Sequence, residues 1–161
     1  MKIVKRPQPP TGITRLVFRL PIRLYRLGLG WLLGRRLLYL VHIGRKSGRP
    51  REVVLEVVGR DSGYLVCAGF GPNTDWYRNV LDTPEVTIQV GRHRTRAVAE
   101  ALPTEEGGDV MALYGAQRPR LARRGLRKLM GIEVDGSTED FRAAGRTLPF
   151  VRFTPLPQPA A

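Results

Sequence analysis

Apolar positions along this chain follow two different periods. From about Ile13 to Leu33 they recur every three to four residues, which predicts a helix. Pro21 and the pair Gly28 and Gly30 should bend or split it. Beyond it come strand-like runs: Leu37–Ile43, Val53–Val58, Tyr64–Ala68, Val86–Val90, Thr95–Leu102 and Leu148–Thr154. These are rich in β-branched, leucine and aromatic residues and are bounded by turn formers. Gly59–Gly63 joins two of them, and Gly91-Arg92 makes a tight hairpin between two more. Short links between consecutive strands imply antiparallel pairing. Three helical segments are interleaved. One is capped by Asn73 or Thr74 and runs to Asp82. A longer one spans about Thr104 to Met130, broken near Pro119 and Gly125, and Ser137 with Asp140 opens the third.

The pattern predicts an α+β, mainly β fold. About six antiparallel strands close wholly or partly into a barrel, with an N-terminal amphipathic helix and further peripheral helices. Residues 1–36 read as a basic arm, flexible over 1–11, plus the amphipathic helix. Residues 37–154 read as the barrel, and 155–161 as a disordered Pro-rich tail. No Gly-rich turn links a strand to a helix in a βαβ pattern, so the usual dinucleotide fold is not expected.

Charge changes this picture. The first 51 residues carry thirteen Lys and Arg and no acid, whereas the remaining 110 are balanced, so the net charge of +13 resides in the opening third. Such asymmetry points to anionic partners. Stepping 100° per residue places Arg15, Arg19, Arg23 and Arg26 within about 80° of each other, with Leu16, Val17, Leu20, Leu24 and Leu27 opposite. A basic amphipathic helix of this kind suits an anionic membrane surface. No stretch approaches the ~20 apolar residues of a spanning helix, and the arginines break any signal-peptide pattern. The single cysteine, Cys67, permits no internal disulfide and fits a reducing, cytoplasmic setting, with a peripheral position on the inner face of the cell membrane. Two histidines, His42 and His93, with one cysteine make a structural zinc site unexpected. A nucleic-acid partner is not expected either: zinc-finger, helix-turn-helix and interleaved aromatic-basic patterns are absent.

Two segments carry chemistry. Gly44-Arg45-Lys46-Ser47-Gly48-Arg49-Pro50-Arg51 lies between predicted strands. Its glycines let backbone approach an anion, Ser47 and free N–H groups can donate, and Arg45, Lys46 and Arg51 add charge. A solvated basic hairpin loop accounts for the same residues equally well. Its glycine spacing is not that of a Walker loop, and a strand rather than a helix follows. The second segment runs from Val66 and Cys67 through Ala68, Gly69, Phe70 and Gly71 to Asp75, Trp76, Tyr77, Arg78 and Asn79. Small residues there expose backbone to a flat ring system that Trp76 or Tyr77 can wall, and Asn79 can fix the loop. Both rings also read as anchors between helix and core, and for Trp76 this is the favoured reading.

Together these segments, with the strand Thr83-Pro84-x-Val86-x-Ile88-x-Val90, resemble the deazaflavin-dependent nitroreductase family of actinobacteria, well over about residues 37–100 and in outline beyond. The resemblance implies a split β-barrel related to FMN-binding pyridoxamine-phosphate oxidases, with coenzyme F420 as cofactor. By resemblance, Gly44, Arg45, Lys46, Ser47 and Arg51 hold the phosphate and oligoglutamate tail. Val66–Gly71 and Asp75–Asn79 lie along the deazaflavin ring and its ribityl chain. The implied activity is hydride transfer from reduced F420 to a quinone-like or other conjugated lipophilic acceptor. The loop before Trp76 is shorter than in the best-known members. Tyr114, the one proton-donor candidate, lacks the neighbouring tyrosines that line the nitroimidazole pocket of the nitroreductases, and Arg118–Lys128 is strongly basic instead. Two alternatives stay open on the same fold: an FMN-dependent reductase and a non-catalytic lipid- or fatty-acid-binding protein.

Overall fold

A computed structural model describes residues 1–4 and 13–159. Six strands form a closed, wholly antiparallel barrel in the order β2-β3-β4-β8-β6-β5. They are β2 (Leu37–Ile43), β3 (Pro50–Arg60), β4 (Tyr64–Cys67), β5 (Glu85–Val90), β6 (His93–Ala101) and β8 (Phe150–Pro155). Alternation sends Leu38, Leu40 and His42 of β2, and Val86, Ile88 and Val90 of β5, to the interior. There they meet Val66, Ala97, Ala99, Val151 and Phe153. At the β5–β6 hairpin Gly91 takes φ +59° while Arg92 keeps a negative φ, the combination that matches strand twist with glycine at the first turn position.

The helices sit outside the barrel. They are α1 (Ile13–Arg26), α2 (Asp75–Asp82), α3 (Thr104–Gln117), α4 (Pro119–Gly125) and α5 (Thr138–Arg146). A 3-10 turn, Gly30–Leu33, follows α1, so the glycine pair splits the expected helix while Pro21 stays within it. Pro119 opens α4 at its first position, where its missing N–H costs nothing, and α4 runs on into a π turn at Leu126–Met130. Ser137 caps α5 by accepting from the Asp140 N–H at 3.2 Å. α3 and α5 approach closely because Gly145 leaves room: a Cβ there would lie 2.6 Å from the Gly107 carbonyl oxygen. Phe141, Met111, Tyr114, Leu126 and Phe150 make a second core between these helices and the barrel.

Three expectations are corrected. Lys2–Ile3 is not part of a free arm but a strand, β1, paired with β7 (Ile132–Glu133), and the Met1 amine meets Asp140. The rest of that arm, residues 5–11, lies outside the described residues. Thr74 stands at the N-cap of α2, yet its hydroxyl turns back to donate to the Gly71 carbonyl at 2.7 Å rather than capping the helix. The tail begins later than expected: Pro155 belongs to β8 and the Leu156 N–H bonds the Arg96 carbonyl at 2.9 Å. Residues 160–161 lie outside the described residues.

The end of α1 docks on the barrel. Tyr25 is buried and stacks on Tyr39, ring centroids 5.1 Å apart, and Arg26 and Tyr39 both bond Glu52. The neighbouring Leu20, Leu27, Leu29, Trp31 and Leu32 remain exposed, among exposed Arg19, Arg23, Arg35 and Arg36. Among the described residues no helix is long and apolar enough to cross a membrane.

Candidate functional site

The β2–β3 connection and the β4–α2 connection face each other across a cleft of about 790 Å³. The first wall is the loop 44–49. It closes on itself through Gly44 N–H to Arg49 O (2.9 Å) and Gly48 N–H to Gly44 O (2.8 Å), with Gly48 at φ +65°. At Gly44 a Cβ would lie 2.7 Å from Ser47 Oγ, so any larger residue would turn that hydroxyl away. The Lys46 and Ser47 amides make no hydrogen bond among the described residues, and Lys46, Ser47 and Arg51 are exposed. Those groups compose an anion-receiving edge, with charge from two side chains and unspent backbone donors.

Arg45 behaves differently from its neighbours. It turns inward across the cleft wall to α2. Its Nη2 meets Asp75 Oδ1 at 3.0 Å, its Nη1 meets Asn79 Oδ1 at 2.9 Å, and its backbone N–H reaches the same Oδ1 at 3.1 Å. Asn79 is buried and continues to His42, with Nδ2 3.2 Å from Nδ1. Burial above all, and then the nearby Arg51 cation, lower the His42 pKa to about 4; Asp75 opposes this.

The other wall, the β4–α2 connection, brings the rings of Phe70 and Trp76 together with Asn73 and Thr74, and Val53 of β3 lines the cleft as well. Gly71, at φ +90°, turns the chain there, its N–H bonding the Ala68 carbonyl at 2.8 Å. Trp76 anchors α2 to the barrel core, and its ring also lines the cleft. It is buried against Tyr77 and Phe153, at 6.1 and 6.4 Å between centroids.

Of the residues singled out in the sequence, Gly44, Arg45, Lys46, Ser47, Arg51, Phe70, Asp75, Trp76 and Asn79 line one cleft. Val66 and Ala68 are buried in the barrel core. Cys67 packs against the second core, where burial pushes its thiol pKa up, away from thiolate chemistry. Gly69 lies against Met130, Tyr77 packs on the barrel core, and Arg78 is exposed on α2. Tyr114 is not at the cleft. It is buried in the second core, and its hydroxyl reaches out to donate to the exposed Glu56 at 2.8 Å; burial followed by that carboxylate raise its pKa. His42, Glu52 and Val53 line the cleft without having been expected there, and Asn73 and Thr74, read as helix caps, line it too. The inward alternation of β2 was the one signal available for His42. Among the described residues no group of His, Cys, Asp and Glu is placed to hold a metal ion.

A family model described as F420H2-dependent quinone reductase matches residues 22–132. The chain belongs to this family. Its cofactor is coenzyme F420, and it is an F420-dependent reductase. An F420H2-dependent reductase, FDR-A, superposes with a TM-score of 0.52 at 24% identity, covering 74% of this chain and 95% of that one. A protein described as a domain-swapped dimer gives 0.53 at 23% identity, over 88% and 99%. HutZ, the heme storage protein from Vibrio cholerae, gives 0.50 at 20% identity, over 80% and 87%. These likenesses share the split-barrel fold. The F420H2-dependent quinone reductase match includes both walls of the cleft.

Proposed function

We propose that this reductase transfers a hydride from reduced F420, held in the cleft between loop 44–49 and α2, to a quinone-like or other conjugated lipophilic acceptor. The observation that carries this reading is the polarity of the cleft. Lys46, Ser47 and two free amides stand on loop 44–49 with Arg51 beside them, and Phe70 and Trp76 stand on the β4–α2 side. Such a gradient suits a ligand with an anionic tail and a flat conjugated head. When bound in its reduced form, the deazaflavin supplies the hydride. The chain's own part is positional: Lys46, Ser47 and Arg51 take the phosphate and glutamates, Phe70 and the turn at Gly71 admit the ring to close backbone approach, and Trp76 walls it. Arg45 acts through α2, fixing loop against helix. Residues 37–154 form the cofactor-binding unit.

The acceptor side follows from the exposed Leu27, Leu29, Trp31 and Leu32 beside Arg19 and Arg23. We propose that this surface rests on an anionic leaflet, from which a lipid-soluble oxidant reaches the protein. Steady-state turnover with reduced F420 should rank menaquinone-like compounds above soluble nitroaromatics, and the reverse ranking removes the lipophilic acceptor. Tight FMN binding with no F420 binding would replace the cofactor assignment itself.

A further inference from the structure

His42 lines the cleft and has no part in the proposed hydride transfer. It ends the inward row of β2, is almost fully buried, and pairs in register with Arg51 of β3. Arg45 decides which atoms donate around it. Asn79 Oδ1 receives the Arg45 backbone N–H and Nη1, both of them donors only, so the amide oxygen faces Arg45 and the NH2 faces His42. An amide NH2 can only donate. His42 Nδ1, 3.2 Å away, must therefore be the lone-pair acceptor, and the proton of the neutral ring sits on Nε2. Among the described residues Nε2 has no partner, and no fully buried polar side-chain atom lacks one, so Nε2 opens onto the cleft that the ring lines. The lowered pKa keeps the ring neutral at physiological pH.

We infer that His42 contacts the ligand, donating its Nε2–H to an acceptor oxygen on the phosphate-bearing side chain of the cofactor, with Asn79 and Arg45 as positioning residues. The inference rests on F420 occupying this cleft. Lys46 and Arg51 attract any anion at any orientation. A neutral donor of fixed direction, just inside them, instead sets how deep the chain carrying the phosphate enters, and so where the ring stops relative to Trp76.

The test uses the two histidines, His42 and the exposed His93. Nitrogen-15 histidine spectra of the free protein at neutral pH, assigned with His93→Gln, should show His42 protonated on Nε2 alone. Asn79→Asp, which turns the neighbour into an acceptor, should place a proton on Nδ1. Adding F420 should shift the Nε2 resonance of His42 and leave His93 unmoved. His42→Phe should weaken F420 binding about five-fold, and His42→Gln, which keeps a donor, should recover most of it. A free protein protonated at Nδ1 overturns the inference, and that measurement stands even if His42→Phe fails to fold. F420 binding that depends on Lys46 yet leaves Nε2 unmoved also overturns it. F420 binding indifferent to both Lys46→Ala and Arg51→Ala would instead overturn the placement of the cofactor.

Discussion

Adjacent cations in the cleft loop have opposite roles. Arg45 spends its guanidinium on Asp75 and Asn79, while Lys46 extends into the open with no partner among the described residues. Charge-assisted contacts contribute roughly 1.5–3 kcal/mol each, so Lys46→Ala should weaken F420 binding ten-fold or more in a fluorescence titration, with the fold unchanged. Removing the glutamates from the cofactor should narrow the gap between wild type and variant, and FMN should respond less than F420. His42 gives the second residue-scale expectation. Its pKa falls from 6.5 to about 4 on folding, so the unfolded chain takes the proton more readily than the folded one. Stability is undiminished above pH 6.5 and declines as pH falls toward 4, by an amount on the order of 2 kcal/mol. Arg51 from β3 and Asp75 from α2 are the charged groups that act on it. Urea midpoints between pH 7 and 4.5 should fall for the wild type and flatten for His42→Gln; parallel curves would remove His42 as the source. The sequence made the cations of loop 44–51 visible, because their density is a local property. It did not show that Arg45 faces inward, since Asn79, its partner, lies 34 residues away.

At the scale of elements, the surface formed by the end of α1 and the 3-10 turn is half docked and half bare. Tyr25 is seated on Tyr39, and Arg92 lies over the Trp31 ring at 5.0 Å, yet Leu27 is 72% and Leu32 58% exposed. Because these two leucines contribute little to the core, Leu27→Asp with Leu32→Asp should leave the melting temperature nearly unchanged. The same pair should abolish co-sedimentation with anionic liposomes; retained sedimentation would assign membrane binding, if any, to another surface. Apolar runs bounded by turn formers located each barrel strand to within a few residues, β2 at both ends, where inward and outward positions alternate. β1 and β7, two residues apiece, are too short to show a period and exist only through each other. Pro50 reads as a turn residue in sequence, but it begins β3, where a strand's first position tolerates the missing donor.

Over the whole molecule, strand order departs from chain order where β5 pairs with β2 and where β8 is inserted. β8 is the last barrel strand in the chain, yet it lies between β4 and β6 and pairs with both, Tyr64 opposite Phe153 and Ala101 opposite Val151. Its Arg152 gathers Asp61 at 2.6 Å, Glu106, and Glu100 at 3.5 Å, joining the β3–β4 turn, α3 and β6 at that seam. Seen from the ribosome, this makes the final stretch a keystone. The β2–β3–β4 and β5–β6 hairpins can form as they emerge, but two bare strand edges wait until Phe150–Pro155 is synthesised. A nascent chain stalled before that point has no route to closure and is a client for holding chaperones. Chains ending at Leu148 should therefore partition into the insoluble fraction, while chains ending after Leu156 should stay soluble and melt cooperatively. Soluble, folded protein from the shorter chain would mean that the barrel closes without its keystone.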